Sequence, residues 1–437
     1  MPRIYKAVLC LLIIVSTEAF TQNYINSPYT LNNIGDILDE GLVYNRSLGG
    51  SSAALRPHNV VNYLNPASYT NQDTNSFIFQ AGFTGRSSDI YTANEKFRTY
   101  NSNIEYLAMG FPVTKWWNMS VGAVPFSRVH FNVREKLDST VVGEHFSFDY
   151  AGSGGFNEFY FGNAIRLGNL LSVGANVSYL FGALNYTTNS YLPGINYYSA
   201  RVEQKTDYIA SDFYLKLGAQ FHPLIKEKHR IVLGAAYDLE TNIGLEKKIQ
   251  TRHFNDAGLD NSSNWYIDTL LQSNDTLAPL VMPQKISLGL SYSYNKILTI
   301  TGEYIRQDWT GKTINNSSYL SQGVYESLRF GIEYVPVPTE NKTRIPYYKR
   351  MHYRAGFFNT NTYLVYNDMN IKNFGASSGI SFPIKYSRKA YTGTTFDIGY
   401  QYSIRGTTNN GLVKENTHIV TFGLTLHDFW FLKPKYD

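Results

Sequence analysis

The chain has 437 residues, a formal net charge of +5 and a single cysteine. Charged residues make up 17% of the chain, compared with about 25% in an average soluble domain. A mean hydropathy of −0.28 excludes a bundle of transmembrane helices, and an aromatic content of 15% excludes intrinsic disorder. The single cysteine excludes a disulfide scaffold, and the lack of a basic block excludes a nucleic-acid-binding protein.

The first 21 residues have the layout of a secretory signal peptide. Arg3 and Lys6 precede a short apolar run over residues 7–15, and small or polar residues follow. The run is too short for a transmembrane helix, which needs about 20 residues. We therefore predict that residues 1–21 are a signal peptide, that Cys10 is removed with it, and that the protein is exported.

Residues 22–73 do not alternate between apolar and polar, and they contain short helical patterns such as residues 33–42. A segment of about 50 residues buries little core of its own. We therefore predict that it folds inside a larger structure as a hatch, or plug. The alternative is a disordered periplasmic tail, which apolar residues such as Leu48, Leu55 and Val61 argue against.

From about residue 74 onward, apolar residues alternate with polar or small ones. In one run, Leu328, Phe330 and Ile332 alternate with Arg329 and Gly331. Successive side chains of a β-strand point to opposite faces, so each run predicts a strand with one apolar face. Many runs exceed ten residues and end in aromatic residues, which favours a membrane barrel over a soluble β-sandwich.

Counting the runs predicts an all-β fold over residues 74–437, a 14-stranded transmembrane antiparallel β-barrel with the hatch in its lumen. The predicted strands span residues 74–92, 99–112, 117–136, 143–167, 170–192, 198–222, 229–252, 282–295, 297–311, 324–337, 347–362, 370–384, 392–407 and 415–432. The run 143–167 contains several glycines and is predicted to be one kinked strand, because two strands would make the total odd.

The connections between the runs differ in length. Short turns are predicted at residues 114–117, 168–169 and 295–296, and long polar loops at 253–281, 312–323 and 408–414. This pattern places the short turns on the periplasmic side. Two periplasmic connections, 338–346 and 385–391, are longer than usual.

Short motifs in the N-terminal segment resemble the FadL family of outer-membrane transporters of hydrophobic compounds. They are SLGGSSA, which contains Gly49 and Gly50, and the later Asn65-Pro66-Ala67. The GSGGFN stretch from residue 152 also resembles this family, and the C-terminal residues resemble FadL-like proteins of the Bacteroidetes. LGGSS departs from the fuller MGGAG-type motif, and the chain ends in Asp437 rather than an aromatic residue.

The resemblance implies a hatch and a sideways opening in the barrel wall at a kinked strand. Pro125 is the candidate for the kink, because proline donates no ladder hydrogen bond. Gly152, Gly154 and Gly155 lie in the next strand, and kinks in the two strands would leave a local hole. The alternative is an ordinary bulge near the rim. Asn65-Pro66-Ala67 is expected to form a rigid turn, with or without a role as the hinge of the hatch.

Charged residues occur on the predicted lumen face. Arg329 and Glu333 share this face of one strand, and Asp397 and Arg405 share it in another. Pairs that brace the barrel or the hatch are the simpler interpretation, and a selectivity filter is the alternative.

Enzymatic and metal sites are not expected. An outer-membrane hydrolase would need a Ser–His arrangement, and the chain has no GxSxG motif. His222 and His229 flank one turn, but a zinc site there is disfavoured. We predict no cofactor, no metal and no enzymatic activity.

The resemblance implies passive uptake of a hydrophobic, fatty-acid-like small molecule through the outer membrane. The expected partners are this ligand, outer-membrane lipids and lipopolysaccharide, and no nucleic acid. The alternative function is that of a structural subunit of a protein secretion or surface-assembly complex, in which case the plug would block the lumen permanently. An open porin is disfavoured by the plug.

Overall fold

The structure is a computed structural model. It describes residues 27–31, 34–138, 145–192, 198–226, 228–257, 264–276, 280–312, 321–337, 345–366, 369–385 and 394–429. Among these residues, no helix has the length and apolar character needed to cross a membrane. The predicted signal peptide, the connection 338–344 and the C-terminal residues 430–437 lie outside the described residues.

The chain is built almost entirely of β-strands. In chain order they are β1 (Asp36–Ile37), β2 (Ser76–Tyr91), β3 (Lys96–Pro112), β4 (Trp117–Pro125), β5 (Ser127–Asp138), β6 (His145–Leu167), β7 (Leu171–Leu192), β8 (Tyr198–Phe221), β9 (Leu224–Lys226), β10 (His229–Asp238), β11 (Thr241–Ile243), β12 (Leu245–Ala257), β13 (Asn264–Thr276), β14 (Leu280–Met282), β15 (Lys285–Tyr294), β16 (Leu298–Asp308), β17 (Ser321–Gln322), β18 (Val324–Tyr334), β19 (His352–Tyr366), β20 (Met369–Lys385), β21 (Thr394–Gly406) and β22 (Lys414–Phe429). The helical elements are one α-helical turn, Val43–Arg46, and the 3-10 helices Pro28–Leu31, Pro66–Asn71, Tyr347–Arg350 and Asn409–Gly411.

The strands form a closed antiparallel barrel of 14 strands, as predicted. Each barrel strand pairs with its neighbours in sequence, and β2 closes the ring by pairing with β22 along its whole length. Three barrel strands consist of two pieces each: β4 with β5, β10 with β12, and β13 with β15. The glycine-containing β6 is a single strand, as expected.

Burial alternates along the strands as the sequence pattern predicts. On β18, Leu328, Phe330 and Ile332 are exposed on the outer face, whereas Arg329 is buried in the lumen. The outer face carries a band of exposed apolar side chains on nearly every strand, which is the surface that a bilayer requires. The inner face carries mostly polar and small residues.

The structure corrects two predicted elements. Residues 253–281 were expected to be a loop, but β12 and β13 pair as a long hairpin from Glu246–Thr276 to Asp256–Asn264. The paired residues are mostly polar in sequence, so no period-two pattern reveals the hairpin. The predicted strand 229–252 is interrupted at β11, which pairs with β14 in a separate two-stranded sheet, and Ile243 and Leu280 of this sheet are buried.

The N-terminal segment (residues 27–31 and 34–73) packs against the inner face of the barrel. Most of its residues are buried, including Leu42, Leu48 and Leu55. Part of it joins a hydrophobic cluster with Ile78 on β2 and Tyr160 on β6. Because β2 and β6 are part of the barrel wall, the apolar residues of the segment and the inward-facing residues of the barrel form a shared core.

The Gly49-Gly50 pair lies where the segment touches the wall. Gly49 has a φ of +70°, and a Cβ there would lie 2.6 Å from the carbonyl oxygen of Phe357 and 2.7 Å from that of Phe330. A residue with a side chain would therefore be strained and would also clash with β18 and β19.

We predict that Gly49→Ala loosens the segment from the wall, because the strand carbonyls cannot move without breaking ladder hydrogen bonds. Limited trypsin digestion of the folded barrel should then cleave after Arg46 and Arg56 several-fold faster than in the unmodified protein. Gly85→Ala is the control, since a Cβ at Gly85 meets nothing within 4 Å. Equal cleavage rates in both variants would contradict this prediction.

Candidate functional site

Arg329 on β18 joins the barrel to the N-terminal segment by a buried ion pair and by hydrogen bonds to the backbone. Its Nη2 atom lies 2.7 Å from Oδ1 of Asp39, and its Nη1 atom donates to the carbonyl oxygens of Asp39 and Gly50 at 3.0 Å. Tyr325 donates a further hydrogen bond to Asp39 at 3.0 Å. Burial alone would raise the pKa of Asp39, but Arg329 and Lys285 lower it below its usual value. The pair is therefore ionised, and it anchors the segment to β18.

Other inward-facing polar residues bind backbone groups of the segment. Glu303 on β16 accepts hydrogen bonds from the backbone N–H groups of Ser52 and Ala53. Gln220 on β8 donates to the carbonyl oxygen of Ala53 at 2.8 Å, and Asn176 on β7 donates to that of Tyr63 at 2.8 Å. Sequence reasoning did not single out these three residues, although each is a polar residue on the inward face of its strand.

The remaining charged contacts lie on the other side of the lumen. Arg46 of the segment binds Glu105 on β3 at 2.7 Å and Glu40 at 3.2 Å. Arg405 on β21 binds Asp36 of the segment at 2.7 Å. The segment is thus bound to strands that face each other across the barrel.

Of the four lumen charges singled out from the sequence, two form ion pairs with the segment and two form ion pairs within the wall, although Glu333 also accepts a hydrogen bond from Tyr44 of the segment at 3.3 Å. Arg329 and Arg405 pair with segment carboxylates. Glu333 binds Arg354 on the neighbouring strand at 2.9 Å, and Arg354 also lies 3.4 Å from Asp397. These four residues therefore take part in ion pairs rather than forming an open charged ring.

The Asn65-Pro66-Ala67 motif forms a buried turn against the wall. The Asn65 side chain accepts a hydrogen bond from the Ala67 N–H at 3.1 Å and donates to the carbonyl oxygen of Ala235 on β10 at 3.2 Å. Pro66 begins a 3-10 helix. The opposite wall position is Gly218, where a Cβ would lie 2.2 Å from Oδ1 of Asn65.

The barrel wall contains a gap between the second and third strands. β3 pairs with β4 only from Leu107–Ala123 to Pro112–Asn118. Beyond Pro125 the third strand continues as β5, which pairs with β6 and with the short β1 of the segment. Within the described residues, no ladder joins β3 residues 96–106 to β5.

The residues proposed for a lateral opening meet at this strand break. Pro125 is the last residue of β4 and pairs with Asn157, and the pairing with β6 resumes at Val129 with Gly154. A Cβ at Gly155 would lie 2.3 Å from the carbonyl oxygen of Ser127. The pairing with the glycine-rich strand is thus nearly continuous, and the gap lies on the opposite side of the third strand from Gly152, Gly154 and Gly155.

Two narrow cavities lie between the segment and the wall, and the smaller one is beside the gap. The smaller one is lined by Leu42, Tyr106 and Pro125 together with the Arg46–Glu105 pair. The larger one combines apolar residues with five charged ones: Asp39, Glu158, Lys216, Asp238 and Lys285. Charged linings bind water in preference to hydrocarbon.

The fold and the filled lumen define a transmembrane β-barrel of the FadL type. A Pseudomonas aeruginosa FadL homologue is similar with a TM-score of 0.62 and 14% identity, covering 92% of this chain and 100% of that one. The P. putida toluene transporter TodX has a TM-score of 0.60 and 13% identity, covering 91% of this chain and 100% of that one. The CymD monoaromatic hydrocarbon channel has a TM-score of 0.58 and 13% identity, covering 92% and 100%.

At these identities the similarity establishes a shared fold. No curated protein matches the chain. A family model described as BamG matches residues 3–437, and the chain belongs to the BamG family.

We predict that Arg329→Met destabilises the folded barrel by about 3–5 kcal/mol, because it leaves the buried Asp39 carboxylate without a partner. The measurement is the free energy of unfolding in urea of protein folded into lipid vesicles. The double variant Arg329→Met/Asp39→Asn should recover a large part of the lost free energy of unfolding.

Arg134→Met is the matched control for this prediction, since Arg134 pairs with Asp149 at an exposed site. This substitution should leave the free energy of unfolding nearly unchanged, because exposed ion pairs contribute little to stability. If the Arg329 and Asp39 substitutions were simply additive, the two residues would not be coupled.

Proposed function

We propose that the protein is an outer-membrane barrel with a permanently closed lumen, and that it acts as a structural subunit of a larger outer-membrane assembly. Residues 22–73 form the hatch that closes it. The observation that carries this proposal is the attachment of the N-terminal segment to opposite sides of the wall by buried ionic contacts.

Moving the segment out of the lumen would break these contacts together. Asp39, Arg46 and Glu303 would each lose partners inside a lumen that is packed with protein. Breaking one buried ion pair costs about 3–5 kcal/mol, so releasing the whole segment costs far more than thermal energy supplies. This supports a fixed plug rather than a moving one.

The wall gap supports a protein partner. Among the described residues, no ladder pairs β3 on its gap side over residues 96–106, and Ile104 and Tyr100 on this stretch are 70% and 67% exposed. Ile104 pairs with Phe83 on β2, which pairs with Phe422 on β22, and all three side chains belong to the exposed apolar band. Lipid cannot satisfy unpaired backbone groups at this level, whereas a strand or loop of another protein can.

We predict that a photo-crosslinking amino acid placed at Ile104 or Tyr100 captures one defined outer-membrane protein in living cells. The reason is that the unpaired β3 edge is the part of the wall that a partner would cover. Mass spectrometry of the adduct identifies the protein. The same amino acid at Leu288, an exposed apolar position on β15, is the control and should capture lipid. Lipid adducts at all three positions would contradict the proposal.

A second candidate function is the passive uptake of hydrophobic small molecules, fatty-acid-like or aromatic. The wall gap beside Pro125 favours it, because a gap at membrane level is a sideways exit, and the similar folds include hydrocarbon channels. In this mechanism the strand break after Pro125 shapes a lateral gate on the β3 side of the third strand, whereas Gly152, Gly154 and Gly155 lie on its paired side. Gly49, Gly50 and Asn65-Pro66-Ala67 allow the hatch to shift, and no cofactor is needed.

A disulfide that locks the segment to the wall separates the two functions. A Cβ at Gly423 would lie 3.4 Å from Cβ of Val43, close to the separation of about 3.5–4.5 Å in disulfides. We predict that Val43→Cys/Gly423→Cys keeps its protein partner when oxidised, because the subunit role requires no movement of the segment.

Uptake of radiolabelled toluene or oleate by cells making the locked variant is the second measurement. Val43→Cys alone is the control. Loss of uptake on oxidation, with recovery under a reducing agent, would establish the transport function and overturn the fixed-plug proposal.

A further inference from the structure

A cluster of basic side chains lies at the short-turn end of the lumen, the end that faces the periplasm in barrels of this class. It consists of Arg56 of the N-terminal segment, Arg166 at the end of β6, His222 just after β8, and Arg230 on β10. Alternation along β6 and β10 places Arg166 and Arg230 on the inward face, with Ala164 and Val232.

Three of these groups meet around Thr70. Arg56 Nη2 donates to Oγ1 of Thr70 at 3.0 Å, and Arg166 Nη2 donates to the Thr70 carbonyl oxygen. Thr70 Oγ1 lies 2.7 Å from Oγ of Ser172, which lies 3.0 Å from Nε2 of His222. One hydrogen-bonded chain therefore links the segment to three barrel strands.

No carboxylate balances this cluster within the described part of the chain. Arg46, Arg329, Arg354 and Arg405 are each paired with an acid, whereas no ion pair to another described residue involves Arg56, Arg166 or Arg230. Arg166 Nε is buried without a hydrogen-bond partner. A buried or half-buried guanidinium without an anion is costly.

Two members of the cluster, Arg56 and His222, lie outside the strands. Burial and the neighbouring positive charges lower the pKa of both. Burial, together with Arg166 and Arg230, lowers the pKa of Arg56 to about 9. Burial, together with the neighbouring arginines, lowers the pKa of His222 to about 4, so this imidazole is neutral at pH 7. His222 therefore adds a hydrogen-bonding group rather than a fourth charge.

We infer that Arg56, Arg166 and Arg230 form a binding site for a phosphate group, which enters from the periplasmic end of the lumen. Guanidinium groups bind phosphate oxygens through short, charge-assisted hydrogen bonds. A phosphate dianion neutralises more of the three positive charges than a single carboxylate would. The phosphate is either a free ion or the headgroup of a lipid, and the site is independent of the proposed functions above.

Isothermal titration of the full barrel in detergent, at low ionic strength, tests this site. Inorganic phosphate should bind saturably at one site per barrel, and sodium chloride at matched ionic strength should show no saturable binding.

A second titration uses a short-chain phosphatidic acid in place of inorganic phosphate. Tighter binding of this lipid would identify a headgroup as the source, and tighter binding of inorganic phosphate would identify the free ion. Tighter binding of succinate than of either phosphate would overturn the phosphate assignment.

Arg230→Gln should weaken phosphate binding by about tenfold or more, because it removes one charge-assisted contact. Arg230→Lys should have a smaller effect, and Arg134→Gln is the control that should have none. Without phosphate, Arg230→Gln should leave the unfolding temperature unchanged or raised, since it relieves repulsion. With phosphate, the same variant should unfold at a lower temperature than the unmodified barrel. Equal destabilisation in both buffers would mean that Arg230 is only structural and would overturn the site.

Discussion

Polar groups removed from water must find partners, and most of this structure follows from that constraint. In the wall the groups are backbone amides and carbonyls, and closing β2 onto β22 gives nearly all of them a partner. Where the wall is interrupted, other parts of the chain form hydrogen bonds with the backbone groups of the wall. At the break after Pro125, the Leu38 N–H donates to the carbonyl oxygen of Phe126 at 2.9 Å.

The same constraint governs the lumen. The segment carries backbone groups without regular secondary structure, and Glu303, Gln220 and Asn176 provide their hydrogen bonds. Small residues on the wall allow this close approach: a Cβ at Gly356 would lie 2.0 Å from the Gly49 nitrogen. The barrel and the segment are therefore matched in shape and in polarity, and they pack against each other as the parts of a protein interior do.

Two places depart from this full satisfaction. Within the described residues, the β3 edge has no strand partner at the level of the apolar band, and no carboxylate pairs with the basic cluster around Thr70. These are the two positions at which we propose a protein partner and a phosphate group. The charged residues that line the two cavities distinguish this lumen from an apolar pocket.

The sequence by itself determined the barrel, because strands facing lipid on one side and a lumen on the other must alternate with period two. Their number and most of their boundaries followed from that pattern, and Pro125 marked the break in the third strand. The hairpin of β12 and β13 escaped prediction because its paired residues are mostly polar and show no period-two alternation. Only the tertiary structure decided that Arg329 meets Asp39, that Glu303 holds Ser52, and that the gap lies toward β3. These contacts join residues far apart in the chain, and the register of a closed barrel, not local sequence, brings them together.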